Sequence, residues 1–483
     1  MSLMILGTAS NVGKSTIVAA ICRSIAKKGM DIAPFKSQNM SLNSYVTNDG
    51  SEIGIAQATQ AFAAMKMPVA EMNPVLLKPK GDRTSQIILL GKPYRDVYIG
   101  EYYKETDYLL EIAHESYQKL KSEYGNVVVE GAGGAAEVNL YKRDIANILL
   151  AKKLNLPIII VGDIERGGIF AQIIGTYNLL PDDVRKNVIG FIINKFRGDP
   201  TLFDEGIKII EEKTNLPVIG LIPYVNLPLP SEDSLSLQDK KAINSPVKIA
   251  VIRLPRISNF SDFEMLENYA SVDYISPEKD LTTYDCIIIP GTKNTVEDLI
   301  YLREYGFDRK IKLARLNKTV IIGICGGYQI LGENIRDEGI ESDKLMEYKG
   351  LGLLNITTIF DSYAKTTVQI KRTANPIGPI LSGISNVSGY EIHMGRTIHD
   401  GEKEAFSGEG SVSDDGLVIG TYMHGLFRNK NVSESLLKYL YSQKNIDFAG
   451  IRDEDTDYEN AYESLSLHFE NNVNMDYILN HFS

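Results

Sequence analysis

The chain has 483 residues, too many for one ordinary core, and its 43% hydrophobic and 23% charged residues are the balance of a soluble globular protein. No apolar run is long enough to span a bilayer, the first residues read as a strand rather than a signal peptide, and three scattered cysteines favour a reducing cytoplasm over a disulfide framework. A net charge of −11 argues against nucleic acid as a general partner, so an anionic substrate would need locally placed cations.

The apolar run Leu3 to Leu6 reads as a buried strand, followed by Gly7-Thr-Ala-Ser-Asn-Val-Gly-Lys-Ser-Thr and a helix with apolar residues at Ile17, Val18, Ile21, Cys22 and Ile25. Strand, glycine-rich turn, Gly-Lys-Ser and helix make a phosphate-binding constellation: loop amides and the helix N-terminus face an anion. Thr8, Asn11, Gly13, Lys14, Ser15 and Thr16 are the candidate nucleotide-binding residues, with Lys14 on the phosphates and Ser15 on Mg²⁺. Gly7 and Gly13 are separated by five residues rather than the usual four, so Thr8 takes the first glycine's place.

Further runs at Val127–Val129, Pro157–Val161 and Val188–Ile193, separated by helix-length segments, predict a parallel sheet covered on both faces. Lys36 falls at the sheet's carboxyl edge, where open α/β folds bind ligands, or is a solvated surface lysine. Glu130 directly follows a buried strand, the place for a metal-polarising acid, with a capping carboxylate as the alternative. Glu52, in a neutral glycine-rich loop, is a second metal candidate. Asp163 and Arg166 follow another strand, and Asn194 ends the next with an amide suited to a base edge or to a turn.

A Pro- and Ser-rich stretch marks a linker over 229–246, which divides the chain into 1–228, 247–440 and a helical tail, 441–483. In the second part Val320-Ile-Ile-Gly-Ile-Cys325-Gly-Gly is a strand, a cysteine, two glycines and a helical pattern, the nucleophile-elbow arrangement with cysteine for serine. Cys22 and Cys286 sit in apolar patterns and are expected in the core. His424, just after a strand, is the favoured base, and His393 is its rival. Backbone amides at Gly291 and Gly326 are candidates for an oxyanion hole. Arg253, Arg256, Lys78 and Arg83 are candidate cations for an anionic substrate, or ordinary solvated charges.

Ala33-Pro-Phe-Lys-Ser-Gln-Asn-Met, Val129-Glu-Gly-Ala-Gly-Gly, Pro255-Arg-Ile-Ser-Asn-Phe-Ser-Asp-Phe, Pro290-Gly-Thr-Lys-Asn-Thr and Tyr422-Met-His-Gly-Leu-Phe, with the phosphate loop and the cysteine elbow, together resemble the cobyric acid synthases of cobalamin biosynthesis. The resemblance implies two doubly wound α/β domains: a P-loop NTPase-like sheet similar to dethiobiotin synthetase, then a flavodoxin-like class I glutamine amidotransferase domain. It implies ATP and Mg²⁺ as cofactors, the metal held by Ser15, Glu130 and Glu52, with Lys36 near the transferred phosphate. It implies L-glutamine and a corrinoid, adenosylcobyrinic acid a,c-diamide, as partners, the b, d, e and g carboxylates being amidated. Many class I members carry a glutamate two residues after the histidine; Leu426 stands there, so the third member of the triad is absent or comes from elsewhere. The related a,c-diamide synthases are the nearest rival. A partitioning-type nucleotide switch with an inactive amidotransferase part is the other, although Ala9 stands where those ATPases carry a second lysine.

Overall fold

The expected strand runs are largely buried, and they form two six-stranded sheets. In the computed structural model, which describes residues 2–81, 83–225, 229–230, 242–342, 344–453 and 458–482, the first sheet has six parallel strands. Their order is Val218–Pro223, Val188–Phe196, Ile158–Asp163, Ser2–Gly7, Val127–Glu130 and Ala33–Phe35. Ser2–Gly7 is buried at every position, as a central strand covered on both faces must be. The connection leaving Ser2–Gly7 runs to Ala33–Phe35 on one side, whereas that leaving the adjacent Ile158–Asp163 runs to Val188–Phe196 on the other. The chain thus reverses order between these strands, and the loop after Gly7 opens at that crevice.

The second sheet runs Ser271–Ile275, Lys248–Ile252, Cys286–Ile289, Val320–Ile324, Val418–Thr421 and Ser411–Val412, parallel except for the last strand. Cys22 and Cys286 are fully buried among apolar neighbours, as their patterns predicted. Most of the expected linker, from 231 to 241, lies outside the described residues.

Two smaller sheets were not visible in the sequence pattern. One joins Gln38–Met40, Val75–Pro79, Thr84–Leu89 and Lys92–Tyr98. The other joins Lys365–Thr373, Asn386–Met394 and Met423–His424. Hydrogen bonds cross the seam between the halves. Lys293 Nζ donates to Gln86 Oε1 at 2.9 Å, the Tyr390 hydroxyl donates to the Ser44 carbonyl at 3.0 Å, and Arg256 Nε donates to the Lys80 carbonyl at 2.7 Å.

The tail returns to the first half. Tyr462, Leu465 and Phe469 of the helix Tyr458–Glu470 pack into the same core as Ile17, Val18 and Ile21. Arg23, 3% exposed, ties that helix down through Glu459 at 2.7 Å and Glu463 at 2.6 Å.

Candidate active sites

The phosphate loop closes on itself through Lys14. Gly13 caps the helix Lys14–Lys27 with φ 96°, and a Cβ there would lie 2.1 Å from Asn194 Nδ2, so only glycine fits. Asn194 Nδ2 donates to the Val12 carbonyl at 2.9 Å, bracing the loop from the neighbouring strand end. Lys195 Nζ does the same at the Asn11 carbonyl, 2.6 Å away, and pairs with Asp163 at 2.9 Å. Lys14 Nζ, buried, reaches the carbonyls of Ala9 at 3.0 Å and Gly133 at 2.7 Å. Thr8 Oγ1 donates to Gln172 Oε1 at 3.2 Å, and Thr16 is exposed on the first turn.

Glu130, fully buried, is the hub beside this loop. Its Oε1 accepts from Ser15 Oγ at 2.7 Å and from Lys36 Nζ at 2.9 Å, and its Oε2 accepts from Gln60 Nε2 at 2.5 Å. Lys36 is thus a buried ion-pair partner, not a solvated lysine. Gln60, which the sequence reading did not single out, also donates to the Ser15 carbonyl at 3.2 Å.

Glu52 does not join this group. It is fully buried, and its oxygens are taken by Lys78, at 2.5 Å, and Lys365. Burial opposes its ionisation, but those two ammonium groups outweigh it and hold the carboxyl well below its usual range. A carboxylate neutralised by two lysines makes a poor metal ligand, and Glu52 makes none of the Ser15 and Glu130 contacts. Among the described residues no three His, Cys, Asp or Glu side chains cluster as metal ligands. A hydroxyl and a single carboxylate beside a phosphate loop do suit Mg²⁺, which takes few protein oxygens and completes its shell with phosphate and water.

The expected substrate cations divide. Lys78 pairs with Glu52 and Ser44, and Arg256 with Asp298, Glu297 and the Lys80 carbonyl. Arg83 and Arg253 are exposed.

The thiol site forms where the second sheet ends. Cys325 sits between Val320–Ile324 and the helix Gly326–Leu331 at φ 51°, ψ −110°, a strained turn for a non-glycine residue. The turn holds because the helix presses on its neighbours: a Cβ on Gly327 would lie 1.9 Å from the Ile289 carbonyl oxygen. Gly326 opens the helix, so its amide belongs to the first turn, which has no partner within the helix. A Cβ on Gly291 would come within 3.0 Å of His424 Cε1, so the absence of a side chain there keeps the imidazole's approach clear.

The third member comes from elsewhere. Asp262, 2% exposed, places Oδ2 2.7 Å from His424 Nδ1 and accepts the Gly425 amide on Oδ1 at 2.8 Å. Burial pushes the His424 imidazole down, but the Asp262 carboxylate and the neighbouring Cys325 sulfur outweigh it and push it up to about 10. Tyr390 stacks on the ring at 5.7 Å. The rival His393 turns its nitrogens to the Gly395 carbonyl at 3.1 Å and to Glu391 at 3.4 Å and lies flat on Tyr422. Cys325, His424 and His393 line one cavity, and Lys78 of the first half lines it too.

Comparison with known proteins accounts for both halves. Residues 3–234 match the family described as the CobQ/CobB/MinD/ParA nucleotide binding domain, and residues 248–432 match the CobB/CobQ-like glutamine amidotransferase domain. Over nearly its whole length the chain is similar to proteins named probable cobyric acid synthase. It is 61% identical to that of Methanosphaerula palustris over 99% of this chain and 98% of the relative. It is 58% identical to that of Methanoculleus marisnigri, over 100% and 99%, and 53% identical to that of Methanosarcina barkeri, over 98% of each. With such identity across both catalytic halves, the chain belongs to the cobyric acid synthase family.

Proposed function

We propose that this enzyme amidates the b, d, e and g carboxylates of adenosylcobyrinic acid a,c-diamide to give adenosylcobyric acid, using ATP and glutamine. The observation that carries the reading is a Cys–His–Asp group and a phosphate loop in one chain, with a cavity at the thiol that both halves line.

In this reading residues 247–440 release nitrogen and residues 1–228 spend ATP; within the tail 441–483, the helix Tyr458–Glu470 covers the first half. Cys325 attacks the amide carbon of glutamine, forming a thioester and releasing ammonia; water then frees glutamate. His424 gives the departing nitrogen its proton and later takes one from water, while Asp262 holds the imidazole by Nδ1. Amides at Gly326 and Gly291 face the oxyanion. In the other half the loop amides from Ala9 to Thr16 bind the nucleotide phosphates, with Asn194 bracing them. Lys14 exchanges its carbonyl contacts for phosphate oxygens, and Lys36 moves from Glu130 toward the phosphate being transferred. Ser15 and Glu130 would hold Mg²⁺, which supplies charge neutralisation on the phosphates. The corrinoid carboxylate takes the γ-phosphoryl group, ADP leaves, and ammonia displaces phosphate from the acyl phosphate. The enzyme is expected to work in the cytoplasm.

Incubation with the a,c-diamide, ATP, Mg²⁺ and glutamine tests this by mass: each carboxylate converted to amide lowers the corrinoid mass by about 1 Da, as acyl transfer to nitrogen requires. Four such steps are expected. Conversion of cobyrinic acid itself, with none of the a,c-diamide, would overturn the substrate assignment.

A further inference from the structure

The thiol cavity is lined by three lysines, Lys78, Lys293 and Lys365, and by the carboxylate of Glu341. Lys78 and Lys365 are neutralised by Glu52. Lys293 is not: its Nζ donates to the uncharged Gln86 side chain at 2.9 Å, and it forms no ion pair among the described residues. Glu341, 8% exposed, also forms no ion pair among the described residues. Its Oε2 accepts the Thr295 amide at 2.8 Å, and Asn294 Nδ2 donates to its backbone carbonyl at 3.1 Å. The turn Lys293-Asn-Thr thus carries the cation and clamps the anion, which holds the two at a fixed spacing.

Opposite charges that share a cavity without meeting are costly. Burial and the like charges of Lys365 and Lys78 push the Lys293 ammonium down, and burial pushes the Glu341 carboxyl up. A guest that brings a carboxylate to Lys293 and an ammonium to Glu341 offsets both costs. L-Glutamine carries both groups on its α-carbon, and a short apolar stem joins that carbon to the amide that Cys325 attacks. Phe360, Ile392 and Met394 on the cavity wall suit the stem. Glutamine within a peptide lacks both charges. Lys78 and Lys365 do not compete for the carboxylate, since Glu52 holds both.

We propose that Lys293 binds the α-carboxylate of glutamine and Glu341 its α-ammonium, so that this pair selects the free amino acid for the thiol. The assignment rests on the amidoligase reading above.

The test compares L-glutamine with glutaramate, which lacks the ammonium, and with γ-aminobutyramide, which lacks the carboxylate. With ATP, Mg²⁺ and the a,c-diamide supplied, kcat/KM is measured from the acid that each amide releases, in the parent, Glu341→Gln, Lys293→Met and Lys293→Arg. The parent should prefer glutamine over either analogue by at least about 100-fold. Glu341→Gln should lower the preference over glutaramate at least about tenfold and leave that over γ-aminobutyramide within about threefold of the parent's. Lys293→Met should do the opposite, and Lys293→Arg, which keeps the charge, should retain most of the preference. A ratio taken on one protein cancels losses common to all substrates, so a merely structural role leaves it unmoved. Melting temperatures report folding; should Glu341→Gln fail to fold, the two Lys293 variants decide. A parent indifferent to either analogue, or preferences unchanged or lowered alike for both analogues in the folded variants, overturns the assignment and leaves the amidoligase reading standing. A parent that releases no glutamate overturns that reading, and the assignment with it.

Discussion

Asp262 Oδ2 lies 2.7 Å from His424 Nδ1, across 162 residues of sequence, and completes a triad that Leu426 leaves open at its usual place. The second oxygen accepts the Gly425 amide, so the carboxylate fixes both the ring and the backbone that carries it. Asp262→Asn keeps the shape but removes the charge. Glutamine-dependent amidation should fall by at least about 100-fold, the scale at which a misoriented imidazole disables a nucleophile. Ammonium-driven amidation should not change. Glutamate release in the two proteins, measured side by side, checks this.

The same pair sets a pH dependence. His424 is raised from 6.5 to about 10, so between those values the folded chain binds more protons than the unfolded one. Stability from this group is therefore complete below 6.5 and is lost as pH rises through about 10. Melting temperatures of the parent and Asp262→Asn should differ most at low pH and converge toward pH 10. A gap that widens with pH would contradict the assignment.

Lys14 is buried against two loop carbonyls and stands to move onto phosphate when nucleotide binds. Lys14→Met should reduce both glutamine- and ammonium-driven amidation by at least about 100-fold, because loss of a phosphate-clamping cation removes transition-state stabilisation common to both. Steady-state assays with each nitrogen source check the shared loss.

The tail helix covers the first sheet, and Phe469 is 2% exposed within that core. Phe469→Ala should cost about 3–5 kcal/mol, the usual loss for deleting a buried ring. Calorimetry should show the destabilisation, and glutamate release by the intact second half should survive it at moderate temperature.

What was legible in the sequence was local. The phosphate loop and the cysteine elbow are contiguous, and each carries its own glycines, strand and helix; buried strands announce themselves as β-branched runs. What was hidden depends on pairs far apart in the chain. Asp262 stood inside Pro255–Phe263, a stretch already singled out, but nothing local distinguishes it from a capping carboxylate of the short helical turn it occupies. Glu52 looked like a ligand because Lys78 and Lys365, which neutralise it, come from two other strands. Lys36 was undecided for the same reason: its burial is set by Glu130, on a strand 94 residues away.

The central claim is that thiol and phosphate sites act in series, and replacing Cys325 by Ala separates them. With the corrinoid, ATP and Mg²⁺ supplied, Cys325→Ala should form no amide from glutamine, yet form it from ammonium at a rate within about twofold of the parent. Equal loss with both nitrogen sources would contradict the division of labour.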